Sequence, residues 1–208
     1  MRLYIIRHGE TQWNKQGRIQ GKLDTDLTPD GVQQAKNVAK RLKTVRFDAA
    51  YSSPLKRARD TAEYILAEQQ QPLQLHFDDT LMELGYGAWQ GLSFAQVMER
   101  DPENWFLNRY SPSLMHIEGA DSVVERVAQA RTFVQSIYAQ YPNGTVLITS
   151  HAFAIRILMA ACMGLPIEVT RFYAFGNTSV SIMDLTDKGP RLVLMGDVHH
   201  NEEAVQYE

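Results

Sequence analysis

Read from its amino terminus, the chain alternates short apolar runs with stretches in which apolar residues recur every three or four positions. A bounded apolar run is what a buried strand needs, and the three-to-four spacing turns one helix face toward a core. "RLYIIR" predicts the first strand. "LTPDGVQQAKNVAKRLK" predicts a helix with Thr28 as N-cap and Pro29 at the first helical position, where its missing N–H has no partner to lose. Val32, Ala35, Val38, Ala39 and Leu42 share its inner face. "FDAAYSS" predicts a second strand, and Ser53-Pro54 opens a helix packed through Ala58, Ala62, Ile65 and Leu66. "LQLHFDD" predicts a third strand from the alternation of Leu73, Leu75 and Phe77.

The regular pattern then stops. Residues 83–118 hold Trp89, Trp105, Pro102 and Pro112 among many polar positions, and are expected to lie over the sheet as a lid or binding loop. It resumes at "DSVVERVAQARTFVQSIYAQYP", where Ser122 and Glu125 have capping-box spacing and Val127, Ala130, Val134, Ile137, Tyr138 and Tyr141 align. After an Asn143-Gly144 turn, "TVLITS" lacks polar alternation, as in the centre of a parallel sheet. A nearly all-apolar helix then runs to Met163 and is ended by Gly164 and Pro166. "TSVSIMDL" and "PRLVLMG" predict a terminal hairpin, and the last ten residues are expected to fray. Strands alternating with helices imply an α/β class with a mostly parallel sheet, and 1–208 reads as one domain.

Composition narrows the choices. With 44% hydrophobic and 22% charged residues, the 208-residue chain has the make-up of a soluble globular protein. A net charge of -3 gives no bulk attraction to nucleic acid or a membrane surface, so any anion must be held by a local site. A single Cys162 excludes an internal disulfide and fits a reducing compartment. "MRLYIIRHGE" has too short an apolar run for a secretory signal, so the cytoplasm is the expected location. "AFAIRILMAACMGL" carries Arg156 and is too short to span a bilayer.

Two strand ends carry reactive groups: Arg7-His8 on the first and Ser150-His151 on the central one. In open α/β sheets ligands bind beyond the carboxyl ends of the strands, so the two histidines can converge there. Arg57 falls in the first turn of the helix after the second strand, at the same edge, where free N–H groups already favour anions. Two arginines and two histidines together make an oxyanion pocket. Other phosphate machinery is missing. There is no G-x-x-x-x-G-K-[ST] loop. The position six after Cys162 is Glu168 rather than arginine, and Asp24-Thr25-Asp26 follows no apolar strand. No H-E-x-x-H occurs and His199-His200 lies in a polar tail, so neither a metal nor another cofactor is expected.

"RHGETQWN", "GRIQG", "DLTPDG", "SSPLKRARDTAE", "ELGYGAWQG" and "TSHA" occur in the order found in the histidine phosphatase, or phosphoglycerate mutase-like, superfamily, which the chain resembles from residue 3 to about residue 180. The tail "GDVHHNEEA" further resembles its broad-specificity bacterial phosphatase branch. The resemblance implies a three-layer α/β/α sandwich with a small inserted lid. It implies that His8 is the phosphorylated nucleophile, that Arg7, Arg57 and His151 clamp the phosphoryl oxygens, and that Asn14 and, less directly, Gln20 contact phosphate or substrate. Glu83 would be the general acid. Many relatives have Gly where this chain has Ala152 and Phe153. The Ala152 N–H remains available to the anion, while a side chain at either position could narrow the pocket. "EGADS" likewise replaces a common Gly-Glu-Ser pattern.

The chemistry supports these roles. Neutral imidazole is a competent nucleophile near neutral pH, and a covalent intermediate divides one hard step into two. Arginine forks match phosphate geometry and stabilise its equatorial oxygens without a metal. A leaving alkoxide needs a proton, which a carboxylic acid can give. The expected activity is phosphomonoester hydrolysis on a small phosphorylated metabolite. A cofactor-dependent mutase is the near alternative, disfavoured by the short lid, and a non-catalytic phospho-ligand module the distant one. Oligomeric state is not legible in these patterns.

Overall fold

Each buried run becomes a strand because its neighbours can satisfy its backbone on both sides. The computed structural model describes residues 1–201. Its regular elements are β1 (Arg2–Arg7), α1 (Gln12–Lys15), α2 (Pro29–Leu42), β2 (Ala49–Ser52), α3 (Lys56–Ala67), β3 (Leu75–Phe77), α4 (Phe94–Arg100), α5 (Pro102–Tyr110), α6 (Val123–Gln140), β4 (Thr145–Ser150), α7 (Ala152–Met163), β5 (Val180–Thr186) and β6 (Gly189–Asp197). The strands form one sheet in the order β3-β2-β4-β1-β5-β6. The first four of these are mutually parallel, while β5 and β6 are an antiparallel hairpin.

Period-two alternation divides the sheet into two faces. Leu3, Ile5, Val146 and Ile148 pack with Ala130, Val134 and Ile137 of α6 and Ile155 and Met159 of α7. Ile6, Ala50 and Leu147 face the other way, against Val38, Ala39 and Leu42 of α2 and Ile65 of α3. The result is a three-layer α/β/α sandwich. The Thr28 cap and Gly164 stop form as predicted: Thr28 Oγ1 accepts the Gly31 N–H at 3.0 Å, and Gly164 ends α7 at φ 64°.

Several expectations need correction. The helix expected from Ser53-Pro54 starts at Lys56, because Ser53 still belongs to the sheet, its N–H donating to Thr149 O at 3.0 Å. The third strand shrinks to three residues at the sheet edge and leaves Phe77 52% exposed, so its alternation does not mark a core face. Only half of the Ser122–Glu125 capping box forms among the described residues, the Glu125 N–H donating to Ser122 Oγ. Residues 83–118 are more regular than expected. Ser93 and Gln96 cap α4 reciprocally, Asp101 caps α5, and Tyr86 stacks on a buried Trp89 with ring centroids 6.0 Å apart.

The expected fraying also fails where it can be seen. Asn201 is buried, accepting from Asn37 Nδ2 and donating to Thr178 Oγ1 at 2.7 Å; residues 202–208 lie outside the described part. Among the described residues no helix is long and apolar enough to cross a membrane.

Candidate active site

The parallel register of β1 and β4 sets the site. Arg7 lies opposite Ser150, so His8 and His151 leave the sheet side by side, with ring centroids 5.0 Å apart. On the other side of β4, Ser52 pairs with Thr149, which brings Ser53 to the same edge. The first turn of α3 then supplies Arg57 from beneath, almost fully buried.

His8 is fixed by its surroundings in one tautomer. Its Nδ1 lies 2.7 Å from the Gly9 carbonyl oxygen, which can only accept, so Nδ1 carries the proton and Nε2 keeps a lone pair. Burial, reinforced by the charges of Arg57 and Arg7, pushes the His8 pKa well below the usual histidine value, so the ring is neutral at pH 7. The backbone is held as firmly. The His8 N–H donates to Ser150 O at 2.9 Å, and its carbonyl accepts from Asn177 Nδ2 at 3.0 Å and from the Thr178 N–H. Gly9 is required for packing: a Cβ there would meet Gly31 O at 2.5 Å, where the start of α2 crosses this loop.

Arg57 uses three of its five N–H groups to fix its fork. Nη1 donates to Leu23 O and Nη2 to Gly21 O, both at 2.8 Å, while Nε donates to His151 Nδ1 at 3.1 Å. Because arginine only donates, His151 Nδ1 must be the acceptor, so the neutral ring carries its proton on Nε2 and donates to Ser53 Oγ at 2.8 Å. Burial, then the Arg57 charge, lowers the His151 pKa well below its ordinary value, and burial brings Arg57 down to about 10. Arg7 also acts on both histidines, and its Nη1 donates to Phe175 O at 2.6 Å. A buried and a half-buried cation thus face neutral imidazoles, an arrangement complementary to an incoming anion.

Asn14 closes the single turn of α1. Its Oδ1 accepts from the Thr11 N–H at 3.0 Å and from Asn177 Nδ2 at 3.4 Å, which commits the carbonyl side of the amide and leaves Nδ2 as donor. Gln20 is buried beside the Gly21–Leu23 turn that wraps Arg57, with Oε1 taken by the Thr25 hydroxyl.

Glu83 reaches the same edge from the start of the inserted segment. Oε1 accepts the N–H groups of Leu84 at 2.9 Å and Ala154 at 3.0 Å, and Oε2 accepts that of Phe153 at 3.3 Å. The carboxylate therefore sits on the N-terminus of α7, one residue past His151, where unpaired N–H groups and the helix dipole favour it. Ala152, the first residue of that helix, is half-buried beside it. Phe153 does not crowd the pocket: its ring is in the core, edge-on to Tyr86 at 6.1 Å. Asp121 of "EGADS" ties loops together, taking Lys22 Nζ at 2.8 Å and the Gly85 N–H at 3.0 Å.

Four supporting residues escaped the sequence reading. Ser53 receives His151. Thr61 Oγ1 accepts the Gly9 N–H at 3.0 Å and donates to Arg57 O at 2.7 Å. Asn177 joins His8 to Asn14. Arg126, buried on α6, donates to the carbonyls of Asp79, Thr80 and Met82, immediately before Glu83. Arg126 was detectable, since it lies at helical spacing between Val123 and Ala130; Asn177 left no local signal.

Comparison with known proteins places this geometry. Residues 3–198 match the family model described as histidine phosphatase superfamily, branch 1. Phosphoserine phosphatase 1 of Hydrogenobacter thermophilus is 32% identical over 90% of this chain and 88% of its own length. The adenosylcobalamin/alpha-ribazole phosphatase of Escherichia coli is 32% identical over 90% of this chain and 92% of its own. GpmB of Escherichia coli, named for phosphoglycerate mutase, is 32% identical over 96% and 94%. Among solved structures, Bacillus stearothermophilus YhfR superposes with a TM-score of 0.87 at 32% identity, covering 96% of this chain and 98% of that one.

Proposed function

The chain belongs to the histidine phosphatase superfamily and is a phosphomonoesterase of that type, and we propose that it works through a phosphohistidine formed on His8. The observation that carries this reading is the His8 ring, held neutral with its proton on Nδ1 and bracketed by Arg7 and Arg57. His8 Nε2 attacks phosphorus in line and the bond to the ester oxygen breaks. Arg7 and the two uncommitted N–H groups of Arg57 meet the equatorial oxygens, and Asn14 Nδ2 adds a donor. The Ala152 N–H and Gln20 complete the cradle. His151 reaches the phosphoryl group by exchanging its bond to Ser53.

Glu83 gives its proton to the departing alkoxide. In the second half the resulting carboxylate takes a proton from water as that water attacks phosphorus, the N–P bond breaks and phosphate leaves. The arginines supply the charge a metal would otherwise bring, so neither a metal nor another cofactor enters. The inserted segment 83–118 serves as the lid of a single domain, the substrate is a small phosphomonoester, and the setting is the cytoplasm, with no nucleic-acid or membrane partner.

The test is turnover of p-nitrophenyl phosphate with EDTA present. Wild type is expected to release phosphate, while His8→Ala falls to background with an unchanged melting temperature. A His8→Ala protein as active as wild type would sink the reading. The GpmB relationship keeps a mutase in view. Product analysis on 3-phosphoglycerate distinguishes the two, since free phosphate supports hydrolysis and 2-phosphoglycerate supports the mutase.

A further inference from the structure

Among the described residues Thr178 is the only non-glycine with a positive φ, at 54°. Threonine is branched at Cβ, and such residues rarely enter the left-handed region unless their surroundings hold them there. Thr178 is fully buried, and its contacts show what the conformation does. Its N–H donates to His8 O at 3.2 Å, and the preceding Asn177 gives Nδ2 to the same carbonyl at 3.0 Å and to Asn14 Oδ1 at 3.4 Å. On the other side Ser179 O accepts the Arg7 N–H at 3.2 Å, and Val180 pairs with Ile6 in the sheet. With β5 anchored by that pairing, rotation about φ at Thr178 would swing the 177–178 peptide and the Asn177 amide off His8.

The contacts that prevent this rotation come from the chain beyond β6. Asn201 Nδ2 donates to Thr178 Oγ1 at 2.7 Å, and His200 Nε2 lies 3.1 Å from the same oxygen. His200 Nδ1 lies 3.1 Å from Arg41 Nη1, which can only donate, so the neutral ring carries its proton on Nε2 and gives it to Thr178. Thr178 Oγ1 in turn donates to Asn177 O at 2.8 Å, so its proton and both lone pairs are in use. Burial, then the Arg41 charge, brings the His200 pKa down to about 4, and the ring stays neutral at pH 7. Both donors are anchored to α2: Arg41, which holds His200, also pairs with Asp197 at 2.6 Å, and Asn37 Nδ2 donates to Asn201 Oδ1 at 3.2 Å.

We propose that His200 and Asn201 are positioning residues for the nucleophile: by locking Thr178 in its left-handed conformation from behind, they hold His8 in line with phosphorus. The inference rests on the reading of His8 as the nucleophile. Loosening the lock should cost orientation more than ground-state binding, because the Arg57 fork is fixed separately by Gly21 O and Leu23 O.

Steady-state kinetics on p-nitrophenyl phosphate, run well below each variant's melting temperature, test the lock. His200→Phe keeps a ring and deletes its N–H, and Asn201→Leu keeps the shape of the amide without its donors. Each is expected to lower kcat by roughly fivefold or more with KM within about twofold of wild type, and His200→Gln, which restores a donor, should recover much of the loss. Thr178 separates conformation from packing. Glycine adopts a φ of 54° freely, whereas valine keeps the shape but is left strained without the hydroxyl, so Thr178→Gly should retain the higher kcat. In the Thr178→Gly background His200→Phe should lower kcat by less than about twofold further, since no hydroxyl is left to hold.

Wild-type kcat in both His200→Phe and Asn201→Leu overturns the proposal, as does a Thr178→Val protein that outperforms Thr178→Gly. So does a His200→Phe effect that persists undiminished beside Thr178→Gly. If His200→Phe does not fold, the order of the two Thr178 variants decides. These outcomes leave the nucleophile reading standing as long as activity depends on His8. A His8→Ala protein as active as wild type takes down that reading and the lock with it.

Discussion

Arg126 offers a test of whether the acid is positioned by a distant helix. The residue is 7% exposed, and its guanidinium donates to Asp79 O at 3.2 Å, Thr80 O at 3.1 Å and Met82 O at 2.5 Å, with Nε 3.8 Å from Asp121. Replacing it by Met keeps most of the volume and deletes the donors. Each hydrogen bond from a charged donor contributes ~1.5–3 kcal/mol, but the three share one group, and its removal also relieves its desolvation; the net loss is about 2–4 kcal/mol. For a chain of this size that is a fall in Tm of roughly 5–15 °C. Met82 immediately precedes Glu83, so the same change frees the acid, and kcat should fall ~10-fold, a loss of about 1.4 kcal/mol of transition-state stabilisation. Scanning fluorimetry and steady-state kinetics on p-nitrophenyl phosphate measure both, and Arg126→Lys should recover part of each. A Tm within about 2 °C of wild type, with kcat unchanged, would refute the argument that these bonds hold the loop.

Other predictions follow from the same geometry. Ser53→Ala removes the acceptor for the His151 Nε2 proton and strands a buried N–H, at a cost of about 1–3 kcal/mol; kcat should drop while the fold survives, and wild-type kcat would contradict the role given to Ser53. Gly9→Ala drives a Cβ to 2.5 Å from Gly31 O, so the loop must shift and both Tm and kcat fall; an unchanged melting curve would show that the crossing is slack. His8 and His151 have folded pKa values lowered by burial, and burial brings His200 down to about 4. The unfolded chain binds protons at these positions below about 6.5 while the folded one does not, so stability should decline as pH falls from there toward the folded values, by ~1.4 kcal/mol per pH unit per proton. Because His8 stays neutral, kcat/KM should persist through pH 6.5; an acid limb centred there that vanishes in a variant of another histidine would exonerate His8, whereas direct titration of His8 near 6.5 would break the argument.

Much of this protein is written in the chain. The apolar runs of "LYIIR" and "TVLITS" specify strands buried on both faces, and Thr28-Pro29 and Gly164 specify where helices start and stop, because these are local matters of side-chain pattern and backbone freedom. His8, Arg57, Glu83 and His151 could be singled out because the chemistry needs those residue types and the motifs carry them in order. Local sequence misled where the outcome depended on neighbours. Phe77 alternates like a core residue but stands on an edge strand, and Phe153 reads as an obstacle but turns into the core beside Tyr86.

Only the tertiary structure could decide how these groups are tuned. Histidine tautomers depend on which atom approaches each ring nitrogen, here the Gly9 carbonyl for His8 and the Arg57 guanidinium for His151. The register of β1 on β4 sets two histidines distant in sequence within ring contact. Glu83 owes its place to the helix end that His151 begins, and to Arg126 on another helix. Sequence determines the inventory and the local elements, since both follow from nearest neighbours along the chain. Protonation and orientation arise from burial and long-range contact, which exist only once the layers have closed.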